Sequence, residues 1–141
     1  MARIRSIKPQ AFTSESMAAL SIPARWSFAG LWTYCDDDGR GKADPRLLKG
    51  QVWPLDDAVT PAVVAGHLDE MAREDMVCRY EVEGRQFLHV VNWRAHQAIQ
   101  KRTPSKLPPC PVHDCSVPAP DPLPEDYRRT TGGGRYGYRG E

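Results

Sequence analysis

The chain has 141 residues, enough for one domain with tails but too few for a second full core. It is 40% apolar and 26% charged, an ordinary balance for a globular protein, and it lacks the apolar run of about 18 residues that a membrane span needs. Residues 1–20 lack the continuous apolar stretch of an export signal. We therefore expect a cytoplasmic chain, with no membrane association and with reduced cysteines.

The charge is distributed unevenly, although the formal net charge is only +1. Residues 1–35 hold four basic and one acidic side chain, and residues 85–109 hold five basic and none acidic. Residues 36–84 between them hold six basic and twelve acidic side chains. Two positive segments therefore flank a negative one, and only the fold decides whether the positive segments meet.

Helix start signals recur along the first half of the chain. Basic and apolar residues alternate over residues 2–9, which predicts an extended arm followed by a short helix up to residue 20. Ser21 and Pro23 predict the start of the strongest helix, which ends before Gly39. Asp44 and Thr60, each followed by proline, predict two further helices, and the second extends from residue 61 to about 74.

The second half of the chain begins with a strand pattern. After residue 76 the apolar period falls from about 3.6 residues to 2, which predicts a hairpin over 77–92 that turns at Glu83 and Gly84. From residue 100 onward Pro, Gly and charged residues dominate, with few apolar side chains to offset the entropy of ordering. We predict a basic arm and short helix at 1–20, a folded domain at 21–99 and a Pro/Gly-rich disordered tail at 100–141.

Three helices followed by a hairpin is the chain order of a winged helix, an α+β variant of the helix-turn-helix. The hairpin would be the wing, helix 61–74 would hold the recognition position, and residues 40–43 would form a small third strand. Several short stretches also resemble those of a known protein family. They are the opening MARIRSIKP, AR at 24–25, GLW at 30–32, the turn at 36–39, VNW at 91–93, HQ at 96–97 and PSK at 104–106.

On these stretches the chain resembles a family of bacteriophage and prophage proteins, itself similar to phage replisome organisers with DnaD-like winged-helix domains. The resemblance implies DNA binding in replication initiation or transcriptional regulation within a bacterial host cell. Replisome organisers usually continue into a second domain, and here a short tail follows instead. Asp75 stands where the family tends to have glycine after the third helix, so we expect it to adopt a left-handed conformation.

The third helix itself offers little for reading base edges, because its polar face carries acidic residues. Only Thr60, the adjoining amides and His67 lie near its N-terminal half. We therefore expect binding to double-stranded DNA mainly through phosphate contacts from outside this helix, provided that the basic groups gather on one surface. The candidates are Arg3, Arg5 and Lys8 in the arm, Arg79 and Arg85 in the wing, and Arg94, Lys101, Arg102 and Lys106 beyond it.

An alternative is a protein interaction module in which the acidic third helix docks a basic surface. The partner would be a replication protein such as a helicase or its loader, and DNA binding would be incidental. The oligomeric state stays open. In the plainest interpretation, the basic residues merely solvate flexible ends.

Metal binding and catalysis have weaker support. Cys110, His113 and Cys115 supply three zinc ligands, but a structural site needs four, and His89 or His96 could complete it only through a fold-back of the chain. No motif holds a nucleophile beside a base, and the carboxylates after residue 35 fit a solvated turn better than a calcium loop. We expect no enzymatic activity, no metal and no cofactor.

Overall fold

The computed structural model describes residues 2–113 and shows an α+β arrangement of short helices and one small sheet. No helix within this range has the length and hydropathy needed to cross a bilayer. The elements in chain order are a 3-10 turn at Pro9–Thr13, α1 at Glu15–Ala19, α2 at Ile22–Tyr34, β1 at Arg40–Lys42, α3 at Pro45–Val52, α4 at Pro61–Arg73, β2 at Val77–Val82, β3 at Arg85–Val90 and α5 at Trp93–His96.

Three helices begin at the predicted capping residues. The Ser21 side chain accepts a hydrogen bond from the Ala24 amide at the start of α2, and the Thr60 side chain accepts one from the Val63 amide at the start of α4. Asp44 accepts from the Arg46 amide at 3.0 Å at the start of α3. Each helix also has proline in its first turn, where the missing N–H costs nothing.

The sheet has three antiparallel strands in the order β1-β3-β2. The β2–β3 hairpin turns at Glu83 and Gly84, whose φ angles of 52° and 78° are both in the left-handed region that a two-residue turn requires. The register places Cys78 on β2 opposite His89 on β3, and His89 is also opposite Arg40 on β1. The predicted hairpin and the small third strand are both confirmed.

The core lies between the helices and one face of the sheet. Phe28 and Leu31 from α2, Met71 from α4 and Leu88 from β3 are fully buried within one apolar cluster. The contact between α2 and α3 is close at Gly30, where an added Cβ would lie 2.5 Å from a methyl carbon of Val52. This packing holds α4 and the hairpin in fixed positions.

Candidate nucleic-acid interface

The N-terminal arm lies against the folded domain. The Arg3 amide donates to the Thr33 carbonyl of α2 at 3.1 Å. The Ser6 amide donates to Oε1 of Gln97 at 3.0 Å, and Nε2 of Gln97 donates back to the Ser6 carbonyl at 2.8 Å. Gln97 is only 4% exposed. Its buried amide therefore joins the arm to the chain that follows α5.

Three consecutive carboxylates, Asp36, Asp37 and Asp38, follow α2 and are called here the acidic turn. The side chain of Asp37 is only 5% exposed and lies 3.0 Å from Nη1 of Arg5 and 2.9 Å from Nη1 of Arg3. Burial alone would raise the pKa of Asp37, but a hydrogen bond from the Thr103 amide and the two guanidiniums lower it below its ordinary 3.8. Asp37 is therefore ionised at neutral pH.

Arg5 is held on all sides by the fold. Besides its bond to Asp37, Nε donates to the Trp32 carbonyl at 2.8 Å and Nη2 donates to the Cys35 carbonyl at 3.0 Å. Its guanidinium carbon lies 5.1 Å from the centroid of the Trp93 ring, in cation–π range. With only 6% of its side chain exposed, Arg5 has little surface to offer a phosphate.

Asp38 gathers arginines from the other end of the domain. Arg102 donates to it through Nε, Nη2 of Arg94 lies 3.6 Å away, and the Ser105 amide donates at 2.8 Å. Burial opposes ionisation of Asp38, but the hydrogen bonds from Arg102 and Ser105 lower its pKa below 3.8. The side chains of Arg94 and Arg102 remain 43% and 37% exposed.

Four of the basic groups, two from each end of the domain, therefore meet at the acidic turn. Arg3 on Asp37 keeps 39% of its side chain exposed, comparable to the two arginines on Asp38. We call Arg3, Arg94 and Arg102 the basic cluster. Each of its members is paired with an aspartate, so the convergence comes with partial neutralisation of its charge.

The two predicted contacts on α4 both serve the fold. His67 is 5% exposed, and its Nδ1 lies 2.7 Å from Oγ of Ser27, which also accepts from Nε1 of Trp53 at 2.7 Å. Burial lowers the pKa of His67 below its ordinary 6.5, so the ring is neutral at neutral pH. The Thr60 hydroxyl accepts from the Val63 amide at 3.3 Å.

Other predicted basic contacts divide between paired and exposed positions. Nζ of Lys8 donates to the Ala95 carbonyl at 2.7 Å, and Nη1 of Arg79 lies 2.8 Å from the Asp69 carboxylate on α4. Arg79 therefore neutralises one of the acidic residues of α4. Exposed positions are held by Arg85 at the tip of the hairpin and by Lys101 and Lys106 beyond α5.

The predicted disordered tail begins at residue 100, but residues 101–110 make specific contacts with the folded core. Thr103 and Ser105 donate their amides to the acidic turn, as described above, and Nη1 of Arg40 on β1 donates to the Leu107 carbonyl at 2.9 Å. Burial of Asp37 also shows that the expected solvated turn is wrong at that residue. Residues 114–141, with the rest of the predicted tail and Cys115, lie outside the described residues.

The fold-back that a metal site required is present, and it brings in Cys78, which was not among the ligand candidates from sequence. Cys110 and His113 lie beside Cys78 and His89, with one ligand atom from each residue within 4.8 Å of the others. The hairpin register contained the missing signal, because a turn at residues 83 and 84 pairs residue 78 with residue 89. His96 instead stacks on Trp32 in the core, at 6.1 Å between ring centroids.

No protein-family model, curated protein or solved structure matches this chain. The resemblance to phage replisome organisers therefore stays a prediction.

Proposed function

We propose that the chain is a winged-helix protein that binds double-stranded DNA through its phosphates. The helix-strand-helix-helix order from α2 to α4, followed by the β2–β3 hairpin, supports the winged-helix assignment. The sheet order β1-β3-β2 also supports it, because a winged helix likewise pairs a short first strand with its hairpin. In this arrangement α4 holds the recognition position.

The observation that carries DNA binding is the convergence of the basic cluster on the acidic turn. Within residues 2–113, Arg3, Arg5, Arg94 and Arg102 form ion pairs with Asp37 and Asp38. With Asp36 of the same turn included, the four arginines and three aspartates carry a net charge of 4 − 3 = +1. An arginine that bonds a carboxylate through part of its guanidinium keeps other N–H groups for a phosphate oxygen. The aspartates hold these guanidiniums in place before DNA arrives, which lowers the entropy cost of binding.

Recognition of particular base sequences has little support in α4. Along its first half, the exposed or half-exposed positions are Pro61, Ala62, Val63, Ala65 and Gly66, none of which has a side-chain hydrogen-bonding group. His67, the polar residue that follows, faces Ser27 in the core. We therefore expect affinity dominated by phosphate contacts and only weak discrimination between sequences.

The test is fluorescence anisotropy with random duplex and single-stranded DNA between about 50 and 200 mM salt. We expect duplex affinity to fall steeply with salt, and Arg94→Gln with Arg102→Gln to reduce the slope of log affinity against log salt by about two. Arg73→Gln, at the exposed end of α4, removes one charge of the same kind elsewhere and is the control. An equal loss in the Arg73 variant, or salt-independent binding, would contradict the proposal.

A protein-docking function is the second candidate, favoured by the partial neutralisation of the basic cluster. Acidic groups remain exposed where α4 ends, at Glu74 and Asp75, and these would face a basic surface on a replication protein such as a helicase or its loader. A labelled lysine-rich peptide provides the test. Binding that is lost in the Glu74→Gln, Asp75→Asn variant, together with no duplex binding at low salt, would favour docking over DNA.

A further inference from the structure

Two cysteines and two histidines lie close together on one side of the hairpin. They come from two separate segments of the chain, neither of which includes the acidic turn. Cys78 and His89 are directly opposite each other on β2 and β3. Cys110 and His113, separated by two residues, come from the segment that folds back over the sheet. The set therefore combines a cross-strand Cys–His pair with a Cys-x-x-His motif. Cysteine and histidine are the usual ligands of structural zinc sites.

Two distances within the cluster, both measured from Sγ of Cys110, are close to those between ligands of a tetrahedral zinc ion. Zinc–sulfur bonds of about 2.3 Å and zinc–nitrogen bonds of about 2.0 Å give tetrahedral separations of about 3.8 Å between two sulfurs and about 3.5 Å between sulfur and nitrogen. Sγ of Cys110 lies 3.6 Å from Sγ of Cys78 and 3.7 Å from Nδ1 of His113. A disulfide would instead need the two sulfurs at about 2.05 Å.

The surroundings of the cluster also fit a bound cation. His89 is only 3% exposed, yet its Nδ1 has no hydrogen-bond partner among the described residues, an arrangement that usually costs stability. The His113 amide lies 3.3 Å from Sγ of Cys110, in position to donate to a thiolate. The rings of His89 and His113 lie 4.9 Å apart between centroids, so the two imidazoles approach each other closely.

Apolar packing supports the four residues from one side. Tyr80 and Phe87 stack at 5.8 Å between ring centroids, and together with Cys110 they form a small core separate from the main one. The Tyr80 hydroxyl donates to the Pro108 carbonyl at 2.6 Å, just before Cys110. This second core is small, and a metal ion is a common way for so few apolar residues to hold a chain segment in place.

We propose that Cys78, His89, Cys110 and His113 bind one structural Zn²⁺ ion. Four protein ligands complete a tetrahedral shell and leave no position for substrate, so the ion would stabilise the structure without catalysing a reaction. It would fasten the segment after α5 to the hairpin and release protons from the two thiols as it binds. The proposal does not depend on DNA binding, and it replaces the expectation of free thiols at Cys110.

The experiment measures metal on the full chain, without DNA. Protein treated with chelator under reducing conditions is titrated with ZnCl₂, and bound metal is counted by inductively coupled plasma mass spectrometry. We expect one zinc per chain, and replacement by Co²⁺ to give the visible absorption of tetrahedral cobalt with thiolate ligands. Absence of stoichiometric zinc, or a disulfide between Cys78 and Cys110 in protein isolated without reductant, would overturn the proposal.

Variants separate this ligand set from its neighbours. His113→Asn, at an exposed position, should weaken zinc binding by about a hundredfold or more, whereas His113→Cys should retain it because a thiolate can take the same place. Cys115→Ser is the matched control and should bind zinc as the parent chain does. Loss of zinc binding in Cys115→Ser, together with full zinc binding in His89→Gln, would overturn the ligand assignment. Circular dichroism is used to check that each variant is folded.

Discussion

Arg3 and Arg5 are two residues apart, yet the structure predicts that removing Arg5 costs far more stability than removing Arg3. Arg5→Ala takes away hydrogen bonds to the Trp32 and Cys35 carbonyls and to Asp37, and leaves these acceptors in a buried site. A hydrogen bond from a charged group contributes about 1.5 to 3 kcal/mol, and breaking a buried ion pair costs about 3 to 5 kcal/mol. The contributions are not additive, and Arg3 still faces Asp37, so we expect a loss of about 3 kcal/mol.

Urea unfolding followed by circular dichroism measures this effect. With an m-value of about 1.5 kcal/mol/M, a loss of 3 kcal/mol lowers the midpoint by about 2 M. Arg3→Ala removes a half-exposed ion pair worth less than about 1 kcal/mol, so its midpoint should move by less than about 0.7 M. Arg5→Lys should fall between them, because an ammonium keeps the charge but cannot form the same fork of hydrogen bonds. Equal midpoints for the two alanine variants would refute this account of the arm.

The two remaining predictions concern the core. Burial and the nearby Lys8 lower the pKa of His96 from 6.5 to about 4, so the unfolded chain binds a proton there before the folded one. The contribution of His96 to the free energy of unfolding should therefore be complete above pH 6.5 and be lost as the pH falls to about 4, a change on the order of 3 kcal/mol. In a pH series of urea midpoints, His96→Gln should flatten the curve over this range. Gly30→Ala should destabilise the domain by about 1 to 3 kcal/mol, because the added methyl group would meet Val52. Gly66→Ala has open space around it and should stabilise the helix by up to about 1 kcal/mol. Thermal unfolding that ranks the two variants in the reverse order would contradict the packing between α2 and α3.

Local signals made much of the domain predictable from sequence. Ser21, Asp44 and Thr60 cap helices because a short polar side chain can accept from an amide within the next turn. Asp75, expected to be left-handed, has a φ of 56°, and the alternation of apolar residues after it defined the hairpin. Each of these features depends on residues close together in the chain.

The parts of the candidate site that could not be predicted all depend on distant residues. Arg5 meets Asp37 across 32 positions, Thr103 meets it across 66, and Cys110 reaches Cys78 across 32. No periodicity links such pairs, and basic residues next to proline are equally typical of a solvated tail. The predicted DNA contact of His67 failed for a related reason. Its place on the helix suggested an exposed face, and only its partner Ser27, 40 positions away, explains its burial.

The reciprocal bonds between Ser6 and Gln97 set an order of events during synthesis. The arm leaves the ribosome before the rest of the domain, and the side chain that completes its binding site is made 91 residues later. Until then the arm has only its partners in and after α2, and the loop that closes when Ser6 meets Gln97 spans nearly the whole domain, which slows the final step of folding. A fusion partner that holds the first residues away from the domain would therefore impede this closure, and a tag attached at the opposite end is the better choice for measuring the stability of the native fold.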